Sequence, residues 1–136
     1  MAKVNIAKIL VPKACTRVLH EDDTVRQGLE TMAFHGFTTI PVLDKEERYI
    51  GSVTEGDFLR HLLAKGNTEM HYHEQFRVGD IIRKDFYRSL PITANTDLVI
   101  QIIRFQNYIP IVDDRNVLCG LLTRKGVIEE LAEIDA

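Results

Sequence analysis

The sequence has little that would hold a protein together other than a hydrophobic core. Its 136 residues include two cysteines and no tryptophan, and no apolar run approaches the roughly 18 residues of a membrane span. Cys15 and Cys119 lie far apart, and neither belongs to a CxxC pair, so we expect free thiols in a reducing compartment. No secretory signal opens the chain. We therefore expect a cytoplasmic protein without disulfides.

Neither sign of charge predominates in the sequence. Seventeen Lys and Arg residues against twenty Asp and Glu residues give a formal net charge of −3. Such a balance shows no global attraction to nucleic acid or to an anionic membrane, so we expect neither as a partner. With 45% hydrophobic and 27% charged residues, the composition is that of a soluble globular protein large enough for a real core.

Arrangements typical of an active site or a metal centre are also missing. No Ser/His/Asp or Cys/His arrangement can be argued from spacing, and neither cysteine has a clear activating neighbour. His71 and His73 stand in a polar segment that lacks further ligands nearby, and we interpret His35 and His61 as helix-surface residues. We predict no enzyme activity, no catalytic residue, no metal and no cofactor.

What the sequence does contain is an internal repeat. Residues 40–57, IPVLDKEERYIGSVTEGD, return 69 positions later at residues 109–126 as IPIVDDRNVLCGLLTRKG. Identical pairs at that offset are Ile40/Ile109, Pro41/Pro110, Asp44/Asp113, Gly51/Gly120, Thr54/Thr123 and Leu62/Leu131. Composition alone would give roughly one or two such matches by chance. The chain is therefore a tandem repeat.

Each copy reads as strand–helix–strand–strand–helix after a short helical segment. Thr24 with Gln27 predicts a capping box, and Gly36 and Gly66 are placed to end helices in the left-handed conformation. In the first copy we predict a helical lead-in over 3–11, strands over 14–19, 38–43 and 49–54, and helices over 24–36 and 55–65. In the second we predict a lead-in over 78–82, strands over 89–93, 108–112 and 117–123, and helices over 96–106 and 124–132. Pro91 implies an edge position for its strand.

The predicted fold class is therefore α+β, with tandem βαββα repeats related by a pseudo-twofold axis. We place the first repeat at 1–65, a polar linker at 66–77 and the second repeat at 78–136. Matching Thr24 to Thr96 gives an offset of 72, against 69 later in the repeat. The second copy has therefore lost three residues before its central pair of strands.

The repeated phrases resemble those of cystathionine-β-synthase (CBS) domains. They are I-P-h-h-D and G-h-h-T-x-x-D, where h is apolar, and GSVTEGD at 51–57 matches the second in full. The resemblance covers about residues 6–132 and implies a stand-alone CBS pair with no attached enzyme or transporter. It further implies a regulatory module that binds an adenine nucleotide in clefts between the repeats. A protein partner, whose identity the sequence does not reveal, would receive the signal.

In such pairs each cleft takes the Thr-x-x-Asp phrase of one repeat and strands of the other. The cleft that we favour as the ligand site uses Thr16, Arg17, Val18, Thr38, Thr39 and Ile40 with Thr123, Arg124 and Lys125. Gly126 stands there in place of the ribose-reading Asp, but three cations suit a ligand with more than one phosphate. The Thr-Arg-basic phrase also resembles the subgroup of small CBS proteins that bind cyclic di-AMP.

The second candidate cleft uses Thr54, Asp57, Ser89, Leu90, Asn107 and Tyr108. A helix N-terminus and a threonine hydroxyl can bind phosphate, and the Asp57 carboxylate can accept both ribose hydroxyls. Two features count against this cleft. The deletion falls where its base-binding wall is expected, and Arg83 stands where the family often has Thr.

Simpler interpretations compete with each of these assignments. The phrase from Thr54 to Asp57 is also a helix-capping pattern, and Arg124 and Lys125 can be exposed, solvated charges. The alternative function is a structural dimerisation domain without a nucleotide ligand. Under either function we expect a homodimer formed through helices, with Leu59, Leu63 and Ile102 as candidate contacts.

Overall fold

The computed structural model describes residues 3–36, 38–83 and 86–135, which form two compact units. The first unit comprises residues 17–86, and the second comprises residues 87–136 together with 1–16. The described helices are α1 (Ile6–Ile9), α2 (Val25–His35), α3 (Glu55–Lys65), α4 (Thr96–Ile103) and α5 (Arg124–Asp135). The strands are β1 (Val11–Pro12), β2 (Leu19–His20), β3 (Thr39–Leu43), β4 (Tyr49–Thr54), β5 (Leu90–Pro91), β6 (Tyr108–Val112) and β7 (Leu118–Thr123). The predicted α+β class and the strand–helix–strand–strand–helix order of each repeat are confirmed.

The first unit is a three-stranded sheet covered by α2 and α3. Its strand order is β2-β3-β4, with β2 parallel to β3 and β3 antiparallel to β4. The core consists of Leu19, Val25, Met32, Ile40, Val42, Val53, Phe58 and Val78. A side chain at Gly28 of α2 would place its Cβ 2.7 Å from Phe58 Cζ on α3. The absence of a side chain there lets the two helices pack closely.

The second unit incorporates the N-terminal segment into a four-stranded sheet. The order is β1-β7-β6-β5, so Pro91 lies on an edge strand, as predicted. Val4 N–H donates to Thr96 Oγ1 at 2.8 Å, and Lys8 Nζ lies 3.1 Å from the carboxylate of Glu130, which is buried. The core contains Val4, Ile6, Leu90, Val99, Ile102, Ile103, Ile109, Ile111, Leu122 and Val127. The short α1 is stable because its apolar face is part of this core.

Helix ends follow the sequence closely. The Thr24–Gln27 capping box is present, and Gly36 and Gly66 end α2 and α3 with φ values of 66° and 62°. The bounds of α3, β4 and β6 match the prediction, because apolar patterning and capping residues agree at those positions.

Other predicted elements are shorter or different. The strand expected over 14–19 is reduced to Leu19–His20, and Lys13–Cys15 forms a 3-10 turn. Helix α4 ends at Ile103 rather than at Gln106, because the Gln106 amide donates to the carbonyl oxygens of Arg88 (3.1 Å) and Tyr108 (2.9 Å). Its N-cap is Asn95, not Thr96, so the second repeat is two residues shorter between N-cap and strand, not three.

The aspartate that both repeats share stabilises a hairpin turn. Asp44 Oδ1 accepts the N–H groups of Glu46 and Arg48, each at 2.9 Å. Asp113 Oδ1 accepts those of Arg115 at 2.8 Å and Val117 at 2.9 Å in the same way. These bonds hold the turn, whose left-handed positions are taken by Glu47 and Asn116. The aspartate of the repeated I-P-h-h-D phrase is thus explained by the backbone geometry of the turn.

A pair of buried histidines connects α3 to the segment that follows it. His61, predicted to be a surface residue, is 8% exposed, because a 3-10 turn at His71–Gln75 covers it. His61 Nε2 lies 3.1 Å from His73 Nδ1, and His73 Nε2 lies 2.6 Å from the Asn67 carbonyl oxygen. Since a carbonyl only accepts, His73 carries its proton on Nε2, and its Nδ1 accepts from His61. The two rings thus form one hydrogen-bonded chain that ends on the Asn67 carbonyl.

We expect this pair to make the protein acid-sensitive. Burial, with His73 and Lys65 nearby, lowers the pKa of His61 below its usual 6.5. The unfolded chain therefore binds the proton first, and stability is lost as pH falls below about 6.5 toward the lower folded pKa. Between pH ~7.5 and ~5.5, we expect the melting temperature of the wild type to fall by about 2 °C more than that of His61→Gln.

The matched control is His71→Gln, which removes an exposed histidine of the same segment. It should retain the pH dependence of the wild type. Equal acid sensitivity in His61→Gln and the wild type would contradict the assignment.

Candidate functional site

The Thr54-x-x-Asp57 phrase forms a complete capping box at the start of α3. Asp57 N–H donates to Thr54 Oγ1 at 3.2 Å, and Thr54 N–H donates to Asp57 Oδ2 at 2.8 Å. The Asp57 side chain is nearly inaccessible, with the residue 6% exposed. The capping interpretation of this phrase is therefore confirmed, whatever else these side chains bind.

Two arginines share the other oxygen of the Asp57 carboxylate. Arg60 Nη2 lies 2.6 Å from Oδ1, and Arg83 Nε lies 2.9 Å from the same atom. Burial raises the pKa of the Asp57 carboxyl, but the bond from Thr54 N–H and the cations Arg60 and Arg83 outweigh burial and lower the pKa below its ordinary value. Sequence reasoning missed both contacts. The three-residue spacing of Asp57 and Arg60 on a helix predicts their contact. Arg83 lies 26 residues from Asp57, and no spacing rule predicts that contact.

The start of α5 repeats the threonine but not the carboxylate. Gly126 N–H donates to Thr123 Oγ1 at 3.0 Å, which caps the helix as in the first repeat. The first N–H of each final helix is bonded in the same way, from Glu55 to the Thr38 carbonyl at 3.1 Å and from Arg124 to the Asn107 carbonyl at 3.0 Å. Each helix N-terminus is thereby fixed against the residue before the central hairpin.

Arg124 is not a freely solvated cation. Its Nε donates to the Ile103 carbonyl and its Nη2 to the Gln106 carbonyl, each at 3.0 Å, so the half-buried guanidinium caps the C-terminus of α4. The expectation that Arg124 and Lys125 are both exposed is therefore wrong for Arg124. Lys125 is exposed, with 85% of its side chain accessible and Glu129 4.0 Å away.

Replacing Arg124 should cost stability. Arg124→Ala removes two charge-assisted bonds to backbone carbonyls, and we expect the free energy of unfolding to fall by about 1–2 kcal/mol. Lys125→Ala, the matched control one residue away, should stay within about 0.5 kcal/mol of the wild type. Urea unfolding followed by circular dichroism measures both. Equal stabilities of the two variants would contradict the capping role.

The remaining residues of the favoured set differ in their accessibility. Arg17 and Thr38 are exposed in the first unit, while Val18 and Thr39 are half-buried. Ile40 is 1% exposed and belongs to the core of that unit, so its side chain supports the strand. Thr16, in the second unit, donates its hydroxyl to the Pro12 carbonyl at 2.9 Å.

In the second candidate cleft, Asn107 and Tyr108 both contact Tyr87, a residue that the sequence analysis does not predict at the site. Ser89 is half-buried, Leu90 and Tyr108 are buried, and Asn107 is exposed. The Tyr87 ring lies 4.8 Å from that of Tyr108, and Tyr87 Oη accepts from Asn107 N–H at 3.0 Å. Tyr87 lies outside the duplicated phrases, so the repeat carried no signal for it.

Metal-binding clusters and membrane-spanning helices are absent from the described residues. Over 3–36, 38–83 and 86–135, no group of three or more His, Cys, Asp or Glu residues is placed to hold a metal ion. No helix in those ranges is long and apolar enough to cross a membrane. Cys15 is exposed, and burial raises the pKa of the partly covered Cys119 thiol.

Comparison with known proteins identifies the two repeats. Residues 14–64 and 78–133 each match the CBS domain. The chain belongs to the CBS domain family. The resemblance drawn from GSVTEGD and its repeat is therefore confirmed, and the pair of CBS domains accounts for most of the chain.

The chain is similar in sequence to part of an enzyme and similar in fold to solved CBS structures. Inosine-5'-monophosphate dehydrogenase of Methanocaldococcus jannaschii is 25% identical over 109 residues, which is 79% of this chain but only 20% of the dehydrogenase. The chain thus spans about a fifth of that relative. Among solved structures, CbpB in complex with c-di-AMP has a TM-score of 0.85 at 18% identity, covering 96% of this chain and 86% of CbpB. CBSX2 in complex with AMP has a TM-score of 0.76 at 20% identity, covering 97% and 98%. These structures share the fold of the CBS pair.

Proposed function

We propose that this CBS pair is a cytoplasmic regulatory module that senses an adenine nucleotide and passes the signal to a protein partner. Membership of the CBS family supports the proposal, as do the similar folds of CbpB, solved with c-di-AMP, and CBSX2, solved with AMP. The module regulates and does not catalyse. We retain repeats at 1–65 and 78–136, separated by a linker at 66–77, as part of the proposal.

The observation that carries the proposal is the start of α5. Arg124 and Lys125 open this twelve-residue helix, where the partial positive charge of the backbone disfavours cations. Arg124 offsets this cost by bonding the carbonyls of Ile103 and Gln106, but Lys125 extends into solvent. An anionic group at this helix end would relieve the repulsion and would meet the Thr123 hydroxyl and the backbone N–H of Lys125. Phosphate is the group that fits.

The proposed ligand site combines this helix end with residues of the first repeat. Its members are Thr16, Arg17, Val18, Thr38, Thr39, Ile40, Thr123, Arg124 and Lys125. Arg17 and Lys125 are exposed and can reach phosphates, whereas Arg124 is already engaged through part of its guanidinium. Because Gly126 supplies no carboxylate for ribose, recognition in this set rests on phosphate charge. We therefore favour ligands with two or more phosphates, cyclic di-AMP and ATP among them, over AMP.

A nucleotide should raise the melting temperature of the protein. In a panel of AMP, ADP, ATP and cyclic di-AMP, a ligand at 100 times its dissociation constant adds about 2.7 kcal/mol to stability.

Arg17→Ala and Lys125→Ala should each weaken the binding of the preferred ligand about tenfold by removing a phosphate contact. Titration calorimetry at two salt concentrations measures this loss.

Lys45→Ala is the charge-matched control, since this lysine is also exposed, with 76% of its side chain accessible. The affinity of this variant for the preferred nucleotide should equal that of the wild type. A panel in which no nucleotide shifts the melting temperature would reject the sensor and leave the structural alternative.

The alternative function, a dimerisation domain, is favoured by exposed apolar side chains on the final helices. Leu59 and Leu63 on α3 are 56% and 72% exposed, and Ile128, the repeat equivalent of Leu59 on α5, is 57% exposed. Ile102, the third candidate from the sequence, is 8% exposed and belongs to the core, so it is not available for this contact. We propose that α3 and α5 form the surface of a homodimer, which either function can use.

Charges on that surface should separate the subunits. Leu59→Glu with Ile128→Glu places carboxylates in the apolar contact, and we expect the mass measured by light scattering to fall from two chains to one. Ile92→Glu, at another exposed apolar position, should remain dimeric. A monomeric wild type, or a double variant of unchanged mass, would reject this surface.

A further inference from the structure

Arg83 is held by three groups at the start of α3. Its Nε donates to Asp57 Oδ1 at 2.9 Å, its Nη2 donates to Thr54 Oγ1 at 3.3 Å, and its guanidinium carbon lies 4.1 Å from the centre of the Phe86 ring. The backbone is also fixed, since Arg83 N–H donates to the Ser52 carbonyl at 3.3 Å. The side chain therefore reaches, from outside the helix, the two side chains of the Thr-x-x-Asp phrase.

These bonds take up hydrogen-bond acceptor positions of Asp57 that a ribose would need. A carboxylate offers about four acceptor positions, and the two hydroxyls of a ribose require two of them. Asp57 already accepts from Thr54 N–H on Oδ2 and from Arg60 and Arg83 on Oδ1. With the residue 6% exposed, a diol cannot approach the remaining position without displacing a present donor. The Arg83 guanidinium also lies against the Thr54 hydroxyl, where a phosphate would bind.

Of the two arginines, Arg83 is the one whose removal would expose both Asp57 and Thr54. Arg60 lies on α3 itself, three residues after Asp57, and its bond is to the Asp57 carboxylate. Arg83 contacts the carboxylate and the hydroxyl together, so its guanidinium spans the positions of a ribose and its phosphate. Its guanidinium donates to both oxygens, whereas a ribose would donate to the carboxylate and a phosphate would accept from the hydroxyl.

We propose that Arg83 is a specificity-determining residue that occupies the Thr54–Asp57 site from within the chain and excludes nucleoside monophosphates from it. The inference rests on the proposed function and deepens it. One repeat has a ribose-reading carboxylate that Arg83 covers, and the other has Gly126 in its place. Neither repeat then offers a free carboxylate to ribose, and the chain selects its ligand by phosphate charge.

The test measures AMP binding by titration calorimetry in the wild type, Arg83→Ala and Arg83→Met. The methionine variant keeps an unbranched stem against Phe86 while removing the donors, so it serves if the alanine variant does not fold. We expect AMP to bind at least tenfold more tightly to the variants than to the wild type. Adding Asp57→Asn, which keeps the helix cap but loses the charge, should abolish the gain.

The matched control is Arg26→Ala, which removes another ion-paired arginine of the same unit, bonded to Glu30 at 2.8 Å. Its AMP affinity should stay within about threefold of the wild type, the scatter of a surface substitution. Unchanged AMP affinity in a folded Arg83→Met protein would overturn the inference, as would a gain that persists with Asp57→Asn. The wild type's response to ATP and cyclic di-AMP is measured separately, so failure of the sensor function is distinguishable from failure of the Arg83 inference.

Discussion

The threonine that ends the last strand of each repeat positions the helix N-terminus that follows it. Thr54 and Thr123 each accept, at Oγ1, the N–H three residues on, which starts a helix directly from a strand without a loop. The N–H of the residue directly after each threonine, Glu55 or Arg124, donates to the carbonyl of Thr38 or Asn107, which holds the helix end against the hairpin. A rigid helix N-terminus is a prerequisite for anion binding, because its N–H groups must point to one place.

Around this shared junction the two repeats have diverged in charge. In the first, Asp57 completes the cap and is neutralised by Arg60 and Arg83. In the second, Gly126 omits the carboxylate, and Arg124 bonds the end of α4 instead. What duplication conserved is therefore backbone geometry, including the Asp44 and Asp113 turns. What it left free to vary is the electrostatics of each helix end, where we propose that ligand specificity resides.

The second repeat also shows how one side chain can couple two elements. Arg124 belongs to α5, yet its guanidinium bonds the carbonyl of Ile103, the last residue of α4, and that of Gln106 beyond it; Phe105, which lies between them, is 79% exposed. In the function that we propose, a phosphate that competed for Arg124 would loosen this helix end and alter the surface near Phe105. That would give a physical route from ligand to partner.

Local signals determined much of this protein from the sequence alone. The capping residues Thr24 and Thr54 and the left-handed Gly36 and Gly66 act over a few residues, so their outcome does not depend on distant contacts. The duplication then identified the CBS pair. The tertiary structure decided the rest. It ended α4 at Ile103 through the Gln106 amide, buried His61 against His73, and placed Arg83 on Asp57 across 26 residues. These contacts join residues far apart in the chain, and a guanidinium or imidazole gives no sign in sequence of which distant partner its hydrogen bonds will find.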